Sequence, residues 1–397
     1  MAGVLLMLNP CESVEPEATP LRVATYNIED IRTPDVLRDD HPRLKAAAAL
    51  IQVIRPDVLL INEMTYDDAD DPWTEVGAMP GQNGQRFADQ YLAIAQEALL
   101  EPLHYTAYMV PSNTGLASGF DLNNDGNTVT DFPAPEASGA DGAPPRQTPE
   151  QRAYGNDTWG FGTFPGQYAM TILVRTGLEV DIEAARTFQQ FRWSQMPDAL
   201  RPADPESGAF WYDDAEWAAM RLSSKTHWHL PVITETGDTL HVLASHPTPP
   251  AFDGPERRNK LRNHDEIRLW ADYLGGADYL VDDAGQAGGL PADASFVVMG
   301  DQNADPDEGS SHNNAIALLL DHPRVNSEFV PIADSSGQAT YPDLDPDDTA
   351  AWGLRVDYVL PSRNLEVVDG GVWRPETTTV SDHFPVWLDL RFPKGAR

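Results

Sequence analysis

The feature that most constrains this 397-residue chain is a repeated pattern in which a short apolar run ends on a carboxylate, a carboxamide or a histidine. The clearest instance is FVVMGDQNADPDEG, where Phe296, Val297, Val298 and Met299 lead into Gly300, Asp301, Gln302 and Asn303. Four apolar residues followed by Gly and clustered Asp and Asn predict a buried strand that ends in a polar loop. Asp301 and Asn303 sit two apart, so on an extended chain they point the same way. In an α/β sandwich the carboxyl ends of central strands are where ligands bind, which would put both in one pocket. The plainer alternative is that Asp-x-Asn ahead of Asp-Pro is turn chemistry and nothing more.

Other runs repeat the arrangement. LRVATYNIED places Asn27 and Glu29 at the end of residues 21–26, DVLLINEMTYDD places Glu63 after 58–61, and TLHVLASHPTPP places His246 after 240–245. TTVSDHFPVWLDL sets Asp382 and His383 at a strand entrance. LRVDYVL carries Asp357 inside an apolar strand, where a lone carboxylate is costly to bury unless an ionic or hydrogen-bonding partner meets it. One such strand end is ordinary, whereas this many predict a site.

The order N-I-E, N-E-M, S-H-P, G-D-Q-N, R-V-D-Y and S-D-H resembles the endonuclease/exonuclease/phosphatase superfamily, which includes deoxyribonuclease I, apurinic endonucleases, sphingomyelinases and inositol polyphosphate phosphatases. The likeness covers nearly the whole chain. Within it, GFGTFPGQYAM, RLSSKTHW, ASHPTPPAFDGPERRN and GDQNADP resemble a group of exported bacterial proteins. The resemblance implies an α/β fold, a four-layer α/β/β/α sandwich with two packed mixed β-sheets flanked by helices, and a divalent-metal-dependent phosphoesterase. It implies Glu63 as the metal ligand with Asn27 beside it and Glu29 and Asp382 at one remove. Asp301 would orient or deprotonate the attacking water, Asn303 would hold that water in line, Asp357 would pair with His383, and His246 would donate to a phosphoryl oxygen. Tyr168 corresponds to a position where some members place a phosphate-contacting Tyr; core or rim packing is the alternative. Two residues depart from the pattern: Gln302 stands where relatives usually have an apolar residue, and Pro247 where they usually continue with Leu.

The strand-end residues that must meet run from Asn27 to His383, which fits one large domain over 21–397 with insertions at about 111–165 and 187–222 better than two domains. Net charge is −35, from 62 acidic and 27 basic residues. That balance repels nucleic-acid backbones and gives little basis for counterion-release binding, so a small phosphate ester is favoured over nucleic acid as substrate. A secreted nuclease is the runner-up, and a non-catalytic binding protein on the same fold is the reading from another class.

The only cysteine, Cys11, excludes an internal disulfide. It follows MAGVLLMLNP, so residues 1–20 could be the remnant of an export signal, or a poor lipobox with Cys11 acylated, or a frayed terminus. With the resemblance to exported proteins, a secreted or periplasmic location is expected. No run of 18 apolar residues exists to span a membrane.

Helices are expected over 42–54 and 85–100, and over the segment ERRNKLRNHDEIRLWADYL. In the first insertion, Asp121, Asn123, Asp125, Gly126 and Asn127 have the 1, 3, 5, 6, 7 spacing of a calcium loop, although Asp131 falls one place early and Phe132 takes the twelfth position. A structural Ca²⁺ and a plain Asx-rich turn both fit. Aromatics of the second insertion could pack it against the sheet or line a cleft. Lys225 and His227, on alternate positions of an expected strand, are candidates for substrate phosphate, as are Arg257 and Arg258 reaching back beside His246. Arg257, Arg258, Arg262 and His264 form the most basic patch, whose bland reading is a solvated helix start. A site of carboxylates and carboxamides without Cys favours Mg²⁺, Mn²⁺ or Ca²⁺ over zinc.

Overall fold

The computed structural model describes residues 19–68, 70–75, 77–375 and 380–393; Cys11 lies outside them. The apolar runs form β1 (Leu21–Ile31), β2 (Val58–Met64), β3 (Tyr105–Met109), β4 (Met170–Arg175), β5 (Glu179–Val180), β6 (Arg186–Thr187), β7 (Trp228–Ile233), β8 (Thr239–Ala244), β9 (Ser295–Asp301), β10 (Asp357–Pro361), β11 (Glu366–Val372) and β12 (Val386–Arg391). One sheet has the order β11-β12-β1-β2-β4-β3; the other has β10-β9-β8-β7-β5, with β6 also on β7. Both are mixed: β1 with β2 and β8 with β9 are parallel, and the other named pairs are antiparallel.

Strand alternation divides the core into layers. Val23, Leu60, Ile172 and Leu388 of the first sheet meet Leu230, Val242, Val297 and Met299 of the second in the central layer. Their neighbours Ala24, Leu59 and Leu173 face outward onto Leu44, Ala47, Ala48 and Ile51 of the helix Pro42–Ile54. On the far side Leu243, Phe296 and Val298 face Ile267, Trp270 and Leu274 of the helix Arg258–Leu274. The fold is therefore the expected α/β/β/α sandwich. Because the central strands are covered on both faces, they read as continuous apolar runs rather than as alternation.

The first helix begins at Pro42, whose missing N–H costs nothing there, and Arg55 in the left-handed conformation (φ 55°) ends it. The helix expected over 85–100 is shorter. It runs Asn83–Phe87 and continues as a wider turn over Ala88–Leu92. Gln52 Nε2 donates to the carbonyls of Leu92 and Ile94, and Gln52 Oε1 accepts the amide of Gln96, which draws the chain out of the helical path. In the first insertion a helix, Pro149–Asn156, forms on a Thr148/Gln151 capping box that sequence reading passed over. In the second insertion Phe188, Phe191, Trp193 and Tyr212 are buried in the cluster under the helix Arg258–Leu274, so these aromatics pack. Among the described residues, no helix is long and apolar enough to cross a membrane.

Candidate active site

Strand direction explains how residues so far apart in sequence meet. The parallel strands β1, β2, β8 and β9 contribute what lies at their carboxyl ends: Asn27, Glu63, His246 and Asp301. Strands β10, β12, β4 and β7 run antiparallel to these neighbours, so what lies at or just before their starts comes to the same edge: Asp357, His383, Tyr168 and Lys225. The register pairs Asp357 directly with Asp301. Backbone at this edge is sharply turned, with Glu29, Asp30, Glu63, Tyr168 and Asn303 all at φ between 43° and 68°, and non-glycine residues hold such a conformation only where their surroundings fix it. Gly300 (φ 132°) is required, since a Cβ there would lie 2.0 Å from the Ser245 carbonyl oxygen of the neighbouring strand.

At the centre, Asn27 Nδ2 donates to Glu63 Oε1 and to Asp301 Oδ2, both at 3.1 Å, and so ties a carboxylate from each sheet to one amide. His246 Nε2 lies 3.4 Å from Asp301 Oδ2 and 4.0 Å from Glu63 Oε1. His383 Nδ1 is 2.8 Å from Asp357 Oδ2, and its Nε2 points toward Asp301 Oδ2 at 3.7 Å. Asn303 donates its backbone N–H to Asp301 Oδ1 and its Nδ2 to the Pro247 carbonyl. Single oxygen or nitrogen atoms of Asp301, Asp357 and His383 lie within 4.8 Å of one another, so this buried group could hold a metal ion.

Burial and charge set opposite tendencies on the two site histidines. Burial works against a charge on His383, but Asp357 and Asp301 outweigh it and raise its pKa. His246 is pushed well below the ordinary range by burial, and next by the positive charges of Lys225 and His383, so its ring is neutral. Burial pushes Asp301 upward, with His383 opposing. Burial likewise raises Glu63 against the hydrogen bond from Asn27. Lys225 is buried and lowered by desolvation, against the field of Glu266, Glu63 and Asp301.

Other residues singled out in the sequence lie further out. Glu29 is part-exposed and Asp382 exposed; Glu29 Oε2 is 3.6 Å from Arg43, and Asp382 Oδ1 is 3.9 Å from His383 Nε2. Tyr168 is half-buried, and its hydroxyl accepts from Gln147 Nε2 of the first insertion at 3.1 Å. Burial raises its pKa well above the ordinary range, with Asp30 and Glu63 adding to it.

Two expectations are corrected, and the 121–131 loop shows local turn bonding. His227 does not face the site: its ring bonds Ser223 Oγ and the Glu266 carbonyl and packs on Trp270 beneath the helix, because Lys225 precedes β7 and the alternation that would align the two does not apply. Arg258 donates to the Leu122 carbonyl and lies over Trp211 instead of turning back to His246, and Arg257 is an exposed left-handed helix cap with no bond to His246. In the 121–131 loop the Asp121 carboxylate accepts the amides of Asp125 and Gly126, and the Asp125 carboxylate accepts from Asn123 and Asn127. Asp131 is exposed. These are Asx-turn bonds, and among the described residues the loop gathers no group of three carboxylate or imidazole ligands.

Several supporting residues escaped sequence reading. Asn62 Oδ1 accepts from Thr25 Oγ1 and the Asp301 amide. Ser381 donates to the Asn27 carbonyl and accepts the His383 amide. The Asp30 amide holds Glu63 Oε2, while the Asp30 side chain is fixed by Arg32 and Gln167. Asn62 and Ser381 are the first residues of the N-E-M and S-D-H motifs, which is the signal that could have found them. The departure at Gln302 is also explained: its buried side chain bonds Ser245 Oγ and so joins the ends of β8 and β9.

The family model described as "Endonuclease/Exonuclease/phosphatase family" matches residues 24–383, and the chain belongs to this family. Its members are hydrolases of phosphate esters. No curated protein matches the chain. Among solved structures it is similar to an endonuclease/exonuclease/phosphatase from Beutenbergia cavernae (17% identity, 94% of this chain and 72% of that one, TM-score 0.49). It is also similar to a mannosyl-6-phosphatase from Bacteroides thetaiotaomicron (13%, 94% and 100%, 0.45) and to the human Nocturnin catalytic domain (13%, 96% and 96%, 0.46). At these scores the likenesses say nothing about substrate.

Proposed function

We propose that the protein is a metal-dependent phosphoesterase that hydrolyses a small phosphomonoester or phosphodiester by direct attack of water. The observation that carries this reading is the cluster built from both sheets in which Asn27 bonds Glu63 and Asp301, with the bonded Asp357–His383 pair 3.7 Å and His246 3.4 Å from Asp301 Oδ2. The donors suit a hard cation. Glu63 and Asp301 are oxygen ligands brought to one Asn27 amide in a buried site where burial disfavours their charge, and no cysteine occurs among the described residues. Glu63 would hold the ion beside Asn27. A bound Mg²⁺, Mn²⁺ or Ca²⁺ would neutralise phosphate charge and stabilise the leaving oxygen.

The chain's own groups supply the rest. Asp301, raised by burial, has the basicity to take a proton from water. Its Oδ1 is fixed by the Asn303 amide, and the Asn303 side chain is anchored through Nδ2, leaving its carbonyl oxygen to hold the water in line. The His383 cation, with Nδ1 engaged by Asp357, turns Nε2–H toward the centre as a donor for a phosphoryl oxygen. Neutral His246 and Lys225 provide further donors. Such spread donation is what phosphoryl transfer with little covalent catalysis requires. No protein nucleophile is invoked.

The test is a rate panel on chelator-stripped protein resupplied with each cation, using a chromogenic monoester, a chromogenic diester and plasmid DNA. Turnover of a small ester that collapses in Asp301→Asn and His383→Ala is the expected result. Equal rates in wild type and both variants would reject the site, and faster cleavage of plasmid than of either ester would replace the small-ester reading with a nuclease.

A further inference from the structure

The helix Arg258–Leu274 carries a feature that packing does not explain. Its second half buries Ile267, Trp270, Tyr273 and Leu274 against the sheet, as expected of an outer-layer helix. Its first half instead buries a run of polar residues, Arg262, Asn263, Asp265 and Glu266. Removing such groups from water is unfavourable unless each finds partners. For Asn263 and Glu266 the partners are not random: they are backbone groups of the loops that carry the site.

Glu266 accepts the amide of Ser224 on Oε1 and the amide of Thr248 on Oε2, both at 2.6 Å. Ser224 precedes Lys225, and Thr248 follows His246 by two residues. Asn263 Nδ2 donates to the carbonyl of Thr248 at 2.9 Å and to that of Gln302 at 3.0 Å, and Gln302 lies between Asp301 and Asn303. Thr248 is thus clamped through both its N–H and its C=O by two side chains one helical turn apart. Arg262, on the same face as Glu266, donates to the carbonyls of Leu222, Arg221 and Trp159, where both insertions reach the site. Three connections that follow or precede β7, β8 and β9 are therefore registered against one rigid rod.

We propose that Asn263 and Glu266 are positioning residues that fix Lys225, His246 and the Asp301–Asn303 turn relative to one another for phosphoryl transfer. The proposal rests on the phosphoesterase reading but concerns how the site is held rather than which groups react. The donors come from three separate strand connections, and a displacement of about 1 Å between such groups is enough to cost around 10²-fold in rate. Charge-assisted bonds from one buried carboxylate to two loop amides are the short, directional contacts that prevent it.

Asp265 supplies the control. It is equally buried on the same helix, but its Oδ2 accepts from Trp193 Nε1 and the Leu200 amide of the second insertion and from no site loop. Glu266→Gln, Asn263→Ala and Asp265→Asn would be compared for melting temperature, for kcat and KM on the small ester that wild type turns over, and for amide hydrogen exchange over residues 222–226 and 246–249. Expected are a 10- to 100-fold fall in kcat for the first two with KM changed less, and faster exchange at Ser224 and Thr248, while Asp265→Asn loses comparable melting temperature and keeps kcat within about threefold. Equal kcat losses in all three would reduce the effect to general destabilisation and overturn the proposal, as would unchanged kcat in Glu266→Gln. Wild type inactive on every ester would refute the phosphoesterase reading instead. The exchange pattern would then decide whether Asn263 and Glu266 hold these loops, and unaltered exchange in both variants would overturn that too.

Discussion

Two acidic regions of this chain looked like cation sites in the sequence, and they fare in opposite ways. The 121–131 loop packs six Asp and Asn residues into eleven positions; the strand-end set is scattered from Asn27 to His383. In the structure the compact group turns its carboxylates onto its own backbone amides, whereas the scattered group meets at one edge of two sheets. Closeness in sequence favours local hydrogen bonding, which competes with a cation for the same oxygens. Residues on separate rigid strands make local bonds too, as Asp301 Oδ1 does with the Asn303 amide, but their other polar atoms meet those of distant strands, as Asn27 Nδ2 meets Asp301 Oδ2.

The largest effect that could break this contrast is on turnover. Asp301→Asn and His383→Ala should each lower kcat by at least about 10²-fold, while Asp125→Asn leaves it within about twofold; a loss in Asp125→Asn near that of Asp301→Asn would mean the two regions had been ranked wrongly. Next comes cation binding. At about one hundred times its dissociation constant a cation should stabilise the fold by ~2.7 kcal/mol, seen as a melting-temperature rise that Glu63→Gln abolishes and Asp125→Asn preserves. A calcium-dependent rise that survives Glu63→Gln and vanishes in Asp125→Asn would restore the loop as a cation site.

Histidines sharpen the same lesson within the buried interior. His383 gains two carboxylates and keeps its charge, whereas His227 and His229, desolvated and with no carboxylate bonded to either ring, are lowered to about 4 and about 3. Below pH ~6.5 the unfolded chain takes up protons that the folded chain refuses. Stability should therefore fall as pH drops from about 6.5 toward 4, by up to ~1.4 kcal/mol per pH unit for each ring. Denaturant midpoints at pH 7 and pH 5 should show a smaller drop in His227→Gln than in wild type; parallel curves would count against a neutral buried ring. The smallest effect expected is on the acidic surface. Moderate salt should raise the melting temperature by screening a net charge of −35, and a melting temperature indifferent to salt would show that this repulsion is already balanced.

Much of the fold was legible because apolar runs covered on both faces cannot hide, and the residues that end them were the right ones to notice. Pro42–Ile54 lies where its pattern put it. The helix expected over 85–100 was cut short by Gln52, a contact from a different element that no local pattern contains. Gln302 looked like a defect and is a bond between strands.

By itself, then, the sequence determined which segments are strands and what chemistry sits at their ends, because both follow from side-chain period and type over a few residues. Only the tertiary structure decided which ends share an edge, since that depends on sheet order and on which neighbours run parallel. It also decided that the polar run Arg262 to Glu266 is buried rather than solvated. A polar helix face looks the same in sequence whether water or the backbone of distant loops satisfies it, and here the loops returning from β7, β8 and β9 took the place of water.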